Sequence, residues 1–364
     1  MRLNQIQVIG THNSYHLQPE PELLRLIGFF SKEAAFSLGY SHRPLAEQLE
    51  LLQIRQVELD VYADPEGGAF ACRAGLALLG QEACTGEEVL KQPGFKVIHI
   101  PHLDFGTTVL TFVEALEEIR DWSLAHPGHL PVMVLVEVKE DLTLESMSWP
   151  LRQAARLGRA WLNFYGIPFN FPPAPRASDL DDLDAEIRSV FTDDHLITPD
   201  HIRGGHASLE EAILKQGWPT LSEARGRVLF ALDNPGRIRE LYLEGRPALE
   251  GRVMFVSSPP GEPSAAFIKI NDPTGSNEAL IRHYVSRGYL VRTMADGNQL
   301  VTRDGDTARR DAALESGAQY VSTDFPEEAP WGYRVFLPGA EGAPGRVNPV
   351  SGPAGVEGPL SEWH

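Results

Sequence analysis

The stretch Gln56-Val57-Glu58-Leu59-Asp60-Val61-Tyr62 decides the fold. Its period of two sets Glu58 and Asp60 on one face and Val57, Leu59 and Val61 on the other, the pattern of a strand. A strand with an aliphatic face for overlying helices and two carboxylates on its other face fits the wall of a barrel whose lumen takes the polar side. Short apolar, β-branched runs of the same kind recur at Gln7–Thr11, Lys96–Ile100, Val132–Lys139, Val228–Asp233, Val253–Ser257, Phe267–Asn271, Tyr289–Met294 and Gln319–Asp324. Helical patterns lie between many of them, at Leu45–Leu52, Phe112–Ala125, Glu278–Ser286 and Thr307–Ser316, the last two stopping at Gly288 and Gly317. Strand alternating with helix predicts a parallel sheet with crossover helices. Nine strands compete for eight slots of a TIM-like (β/α)8 barrel that need not be regular. Phe267–Asn271, close behind Val253–Ser257, is the expected outlier.

The expected organisation is one barrel domain over residues 1–337 and a Gly/Pro-rich tail over 338–364, read as a surface strap or a disordered end. A long insertion after strand 4, about Leu142–Arg225, includes the aromatic, proline-rich Trp161–Pro175 and is read as excursions over one mouth of the barrel.

At 364 residues, with 42% hydrophobic and 23% charged, the chain is long enough to bury a large core. A net charge of −18 excludes a nucleic-acid binder, which must gather Lys and Arg against phosphates, and disfavours electrostatic docking on an anionic membrane. No run of about 18 apolar residues is present to span a bilayer. With no basic-then-apolar leader, the expectation is the mature form of a secreted protein with an added start Met, or else a cytoplasmic protein; a monomer is expected. Cys72 and Cys84 either close a short loop, worth about 3 kcal/mol in the entropy model, or remain two free, partly buried thiols.

Chemistry-bearing residues gather where strands end. The first strand ends in Gly10-Thr11-His12-Asn13-Ser14, the second in Glu58 and Asp60, the third in His99-Ile100-Pro101-His102, and the fourth in Glu137 and Lys139. Singly, each has an ordinary structural explanation: a satisfied histidine, a turn asparagine, an exposed ion pair. Together at four successive strand ends they describe the mouth where barrel enzymes keep their sites. Three carboxylates in one mouth require a cation. Oxygen donors without thiolates select a hard ion, so Asn13, Glu58, Asp60 and Glu137 suit Ca²⁺, with Mg²⁺ second. His12 and a second histidine are left for proton transfer.

The stretches Gly10–Tyr15, Gln56–Val61, Val97–Thr108, Pro131–Glu140 and Leu290–Thr293 resemble the calcium-dependent phosphoinositide-specific phospholipase C family of bacteria and fungi, whose barrel is related to that of the eukaryotic enzymes. Ile197–Asp200, Gly217–Leu221, Val228–Asp233, Asn271–Pro273 and Ser322–Pro326 add to the likeness, which runs from about Gln5 to Pro349. The resemblance implies that Asn13, Glu58, Asp60 and Glu137 bind Ca²⁺. It implies that His12 and His99 are the catalytic pair, and that Glu58 or Glu137 takes the proton of an attacking inositol hydroxyl. Diacylglycerol and a cyclic inositol phosphate would be the products. His99 is preferred to His102, which matches the eukaryotic spacing and is assigned with Lys139 and Arg292 to substrate binding. For Lys139 and Arg292 a structural ion pair with a site carboxylate is the alternative. The chain departs from the family at Met294, where a basic residue is common, and at Arg346–Pro349, where a tail cysteine is common.

The implied partner is a phospholipid head group at a membrane surface, approached peripherally, with Phe29 and Phe30 expected to touch lipid. Two other readings are a glycerophosphodiester phosphodiesterase-like hydrolase of soluble diesters and a non-catalytic lipid-binding barrel.

Overall fold

The structure, a computed structural model, describes residues 1–84, 86–140, 157, 160, 163–164, 174–297 and 302–362. Most of Trp161–Pro175 therefore lies outside the described residues. The strands are β1 (Ile6–Thr11), β2 (Gln56–Tyr62), β3 (Lys96–Val97), β4 (Val132–Val138), β5 (Val228–Leu232), β6 (Met254–Val256), β7 (Phe267–Lys269), β8 (Leu290–Met294), β9 (Tyr320–Thr323), β10 (Gly345–Val347) and β11 (Pro359–Leu360). Eight of them run parallel in the order β6-β5-β4-β2-β1-β9-β8-β7, and a parallel bridge from Ser257 to Phe267 draws the two ends together. The result is a nearly closed TIM-like α/β barrel.

The outlier is not the one expected. Phe267–Lys269 is a barrel strand, paired in parallel with β8, whereas Lys96–Val97 pairs antiparallel with the end of β2. Between β2 and β3 the described residues form α4 (Ala74–Leu78), five residues long, and a 3-10 turn at Glu88–Lys91, too little for a crossover helix. The true crossover from β2 to β4 is α5 (Phe112–Ala125), so residues 63–111 form an excursion at the C-terminal end of β2. His99 therefore stands on that excursion and not on the barrel wall. A disulfide joins Cys72 to Cys84 within the same excursion.

α5 shows how the outer layer is built. The Thr111 hydroxyl accepts from the Glu114 amide while the Glu114 carboxylate accepts from the Thr111 amide, satisfying two donors at the helix start. Phe112, Ala115, Leu116, Ile119 and Trp122 recur at helical spacing and are buried against the sheet. Truncating Leu116 to Ala would cost about 2–5 kcal/mol. The insertion after β4 divides into two described parts. The helix Ala177–Val190 packs beside α5 in the outer ring. Residues 196–225 lie at the N-terminal mouth, where Leu3 donates to Pro219 and Trp218 donates to the Gly288 carbonyl.

β10 pairs antiparallel with β1 and β11 pairs with β10, and the Glu362 carboxylate accepts from the buried Arg55 guanidinium at 2.8 Å.

One buried histidine at this closed end makes stability pH-dependent. His129 accepts from the Ser123 hydroxyl and donates from Nδ1 to the Leu130 carbonyl, and burial lowers its pKa to about 4. The unfolded chain, with histidine near 6.5, binds the extra proton first, so stability is lost as pH falls from about 6.5 to 4, by on the order of 3 kcal/mol. His129→Gln, which retains a donor and an acceptor, should flatten the pH dependence of the urea midpoint by about one proton in that window. An unchanged slope would remove His129 as its source.

Candidate active site

Strand register carries the site. β2 aligns Asp60 with Glu137 of β4, β9 aligns Ser322 with Gly10 of β1, and β8 aligns Arg292 with Lys269 of β7 and Tyr320 of β9. Because side chains alternate, one face then collects Glu58, Asp60, Glu137, Arg292, Ser322 and, just past the strands, His12, Asp233 and Asp324. Gly10 is required in this layer. A Cβ there would fall 2.0 Å from Gln56 Oε1, which accepts from the Ser322 hydroxyl.

The carboxylates are held close and compensated. Oxygens of Glu58, Asp60 and Glu137 lie within 4.8 Å of one another. Arg292 donates to Glu58 at 2.7 Å, and the Lys139 ammonium lies 2.9 Å from Asp60 and 3.0 Å from Glu137. Burial raises the pKa of both Glu58 and Glu137, partly opposed by Arg292 and Lys139 respectively. Lys139 and Arg292 thus form the ion pairs foreseen as the alternative to substrate contact. Fully buried Asp60 is met at Oδ2 by the Lys139 ammonium, and lone pairs remain on its carboxylate for a hard cation. Asn13, also buried, takes φ +45°, a conformation asparagine tolerates. Its loop is fixed to β2 by Ser14, whose amide donates to the Glu58 carbonyl and whose hydroxyl accepts from the Glu58 amide. Three convergent carboxylates fit a hard cation such as calcium.

His12 lies at 2.8 Å from Asp324 through Nδ1 and at 3.8 Å from Glu58 through Nε2. Burial opposes its charge, but the Asp324 and Glu58 carboxylates prevail and raise its pKa to about 10. His99 meets Asp104 at 2.5 Å through Nδ1. Both histidines line one cavity of about 640 Å³, with Asn13, Tyr40, Met294, Asp296 and Asp324. Its outer wall includes α2 (Lys32–Ser37), which directly follows α1 (Pro21–Phe30), through the capping Ser31, Glu33 and Phe36. His102 does not line the cavity. The tight turn between Ile100 and Asp104 sends it toward α4, where Nδ1 accepts from the Ala74 amide.

The sequence reading missed Asp324, Asp104, Asp233 and Lys269. Asp324 and Asp233 carried a signal, an acid directly after an apolar strand; Asp104 did not.

A family profile for Ca²⁺-dependent phosphoinositide phospholipase C matches residues 1–349. The chain belongs to that family. It is accordingly a phospholipase C, a phosphoric diester hydrolase acting on phosphatidylinositol-type lipids, which supports that reading over the soluble-diester and non-catalytic ones. In fold the phospholipase is similar to a calcium-dependent phosphoinositol-specific phospholipase C from Pseudomonas sp., in a myoinositol complex, with 15% identity, TM-score 0.52, and 89% and 90% of the two chains covered. It is also similar to a Ca²⁺-dependent phosphatidylinositol-specific phospholipase C from Streptomyces antibioticus, with 18% identity, TM-score 0.51, and 90% and 95% covered. No curated protein matches the phospholipase significantly by sequence. Among its described residues no helix is long and apolar enough to cross a membrane.

In calcium-free protein, Asp324→Asn should bring the His12 titration down from about 10 toward the ordinary range, read by NMR of the ring protons. A titration left near 10 would mean that Glu58 alone holds the charge.

Proposed function

We propose that the phospholipase cleaves phosphatidylinositol by intramolecular attack, with His12, His99 and Glu137 as its proton-handling groups and Asn13, Glu58, Asp60 and Glu137 as calcium ligands. The observation that carries this is the shared cavity: two carboxylate-oriented histidines open into it at the same barrel end as a cation-fitting carboxylate cluster. Calcium, when bound, favours ionisation of a coordinated hydroxyl and offsets phosphate charge. The inositol hydroxyl oxygen forms the new bond to phosphorus as the bond to the glycerol oxygen breaks.

Glu137, more open than Glu58, accepts the hydroxyl proton, while Glu58 is held by Arg292. His12, kept charged by Asp324, donates to the equatorial phosphate oxygens. His99, with its Nδ1–H committed to Asp104, carries a second proton on Nε2 as the imidazolium and gives it to the departing glycerol oxygen, ending as the neutral Nδ1–H tautomer. Lys139 and Arg292 hold the carboxylates apart and in register in place of direct head-group contact. Mg²⁺ is the second candidate ion. Secretion is the proposed setting, in keeping with the Cys72–Cys84 disulfide.

Phosphorus NMR of products from phosphatidylinositol should show a cyclic inositol phosphate, absent with a calcium chelator. Release of glycerol phosphate would sink the mechanism. His12→Ala should lower kcat by about 10²–10⁴, and full activity would overturn its role.

Access to lipid is proposed through α1. Phe29 is 83% exposed there, beside the α2 wall of the cavity; the Phe30 side chain lies outside the described residues. Phe29→Ser should weaken sedimentation with phosphatidylinositol vesicles and spare hydrolysis of a soluble head-group diester. Equal losses on both would count against a lipid contact.

A further inference from the structure

The backbone at His99 is tied to β2, where the Tyr62 hydroxyl donates to the His99 carbonyl and the Asp60 carbonyl accepts from the Ile98 amide, but these bonds leave the His99 ring to be oriented by other groups. The other charged groups of the site sit on or directly after parallel strands, whereas His99 follows the two-residue antiparallel β3 and belongs to an excursion. Its partner Asp104 belongs to the same excursion, five residues on, so their bond alone cannot fix His99 relative to the barrel. A side chain from the β1 loop ties the Asp104 carboxylate, and through it the His99 ring, to the barrel. His16 Nε2 lies 2.8 and 2.9 Å from the two oxygens of Asp104, whose Oδ2 also meets His99 Nδ1.

The surroundings of His16 fix its state. His16 and Asp104 are fully buried, and the His16 ring packs against Tyr40 in a tilted arrangement at 4.5 Å between centroids and meets the His99 ring edge-on at 5.9 Å. Backbone bonds brace the same segment: His16 donates to Asn13, and its carbonyl accepts from His42. Leu17 donates to Gly106, and Thr108 to Tyr15, stitching the loop after β1 to the excursion on both sides of His16. An ionised Asp104 accepts from both imidazoles, which places a proton on His99 Nδ1 and leaves its Nε2 for exchange. His16 then carries its proton on Nε2, and its Nδ1 is buried without a hydrogen-bond partner. A neutral ring with a bare Nδ1 costs less there than a charged ring with an unmet N–H.

The same three groups could be read as a transition-metal site, since their ligand atoms lie within 4.8 Å of one another. Metal at His16 Nε2 would move the proton to Nδ1, where nothing accepts it. Metal-bound histidines normally donate their second N–H to a partner, so this buried arrangement favours the hydrogen-bonded chain.

We propose that His16 is a positioning residue that, through the shared Asp104 carboxylate, ties the His99 excursion to the β1 loop and holds His99 in the Nδ1–H tautomer. The proposal rests on the reading of His99 as proton donor, and its function is to set His99 against the His12–Asn13 loop to which His16 itself belongs.

The test compares His16→Phe, which keeps a ring but removes the donor, with His16→Gln, which restores one, using His99→Ala as reference. Full-length protein is assayed on phosphatidylinositol vesicles, and imidazole nitrogen shifts of His99 are recorded in histidine-labelled protein. His16→Phe should lower kcat by about 10–100-fold with KM within about twofold, and shift His99 from the Nδ1–H signature to a tautomer mixture. His16→Gln should recover most of both. Should the Phe variant fail to fold, His16→Asn, polar but too short for the bond, takes its place with the same expected loss. An unchanged tautomer signature and kcat, with only a lower melting temperature, would make His16 a structural residue and overturn the proposal. Full activity in His99→Ala would instead overturn the role given to His99, while the nitrogen shifts would still decide whether His16 sets its tautomer.

Discussion

The whole active end depends on holding three carboxylates together out of water. Glu58, Asp60 and Glu137 are brought within 4.8 Å because β2 and β4 pair in register, and burial works against all three charges. Arg292 and Lys139 offset part of that cost from the edge of the cluster, each pairing with its carboxylates while leaving lone pairs for a cation. Compensation of this kind lets a protein of net charge −18 present a local site for a cation and, with it, an anionic phosphodiester. Overall charge therefore speaks to nucleic-acid binding and to adhesion on anionic surfaces, and not to what a single mouth accepts.

A second constraint divides the site into two mechanical parts. The groups around the metal cluster and His12 are carried by parallel strands whose hydrogen bonds fix them to one another. His99 is carried by a 49-residue excursion, residues 63–111, held by a disulfide, a short antiparallel pairing and side-chain bonds. The two histidines thus receive their orientation from different sources: His12 from Asp324 at the end of the neighbouring β9, His99 from Asp104 on its own loop.

Much of this was legible from residue order. Alternation in Val57–Val61 and Val132–Val138 gave strands with polar positions on one face, and the carboxylates, Asn13 and both cavity histidines came from reading where those strands stop. The errors have a common origin. Lys96–Ile100 has the composition of a strand but lacks a crossover helix before it, and Phe267–Lys269 is short yet pairs with β8. Apolar content cannot tell a barrel strand from a paired excursion, because the choice depends on what lies between elements. The direction of His102 was hidden for a related reason: one tight turn, closed between Ile100 and Asp104, separates it from that of His99.

Sequence by itself determined the alternation that makes the barrel wall, the oxygen-rich donor set that selects a hard cation, and the gathering of chemistry at strand ends. These are local properties, fixed by side-chain period and donor type. Tertiary structure alone decided which eight runs close the barrel, that Arg292 and Lys139 serve the carboxylates, and that His16, Asp104 and His99 form one chain. Each of those depends on residues tens to hundreds of positions apart sharing a few ångströms, as Arg292 and Glu58 do, and no local pattern records such a meeting.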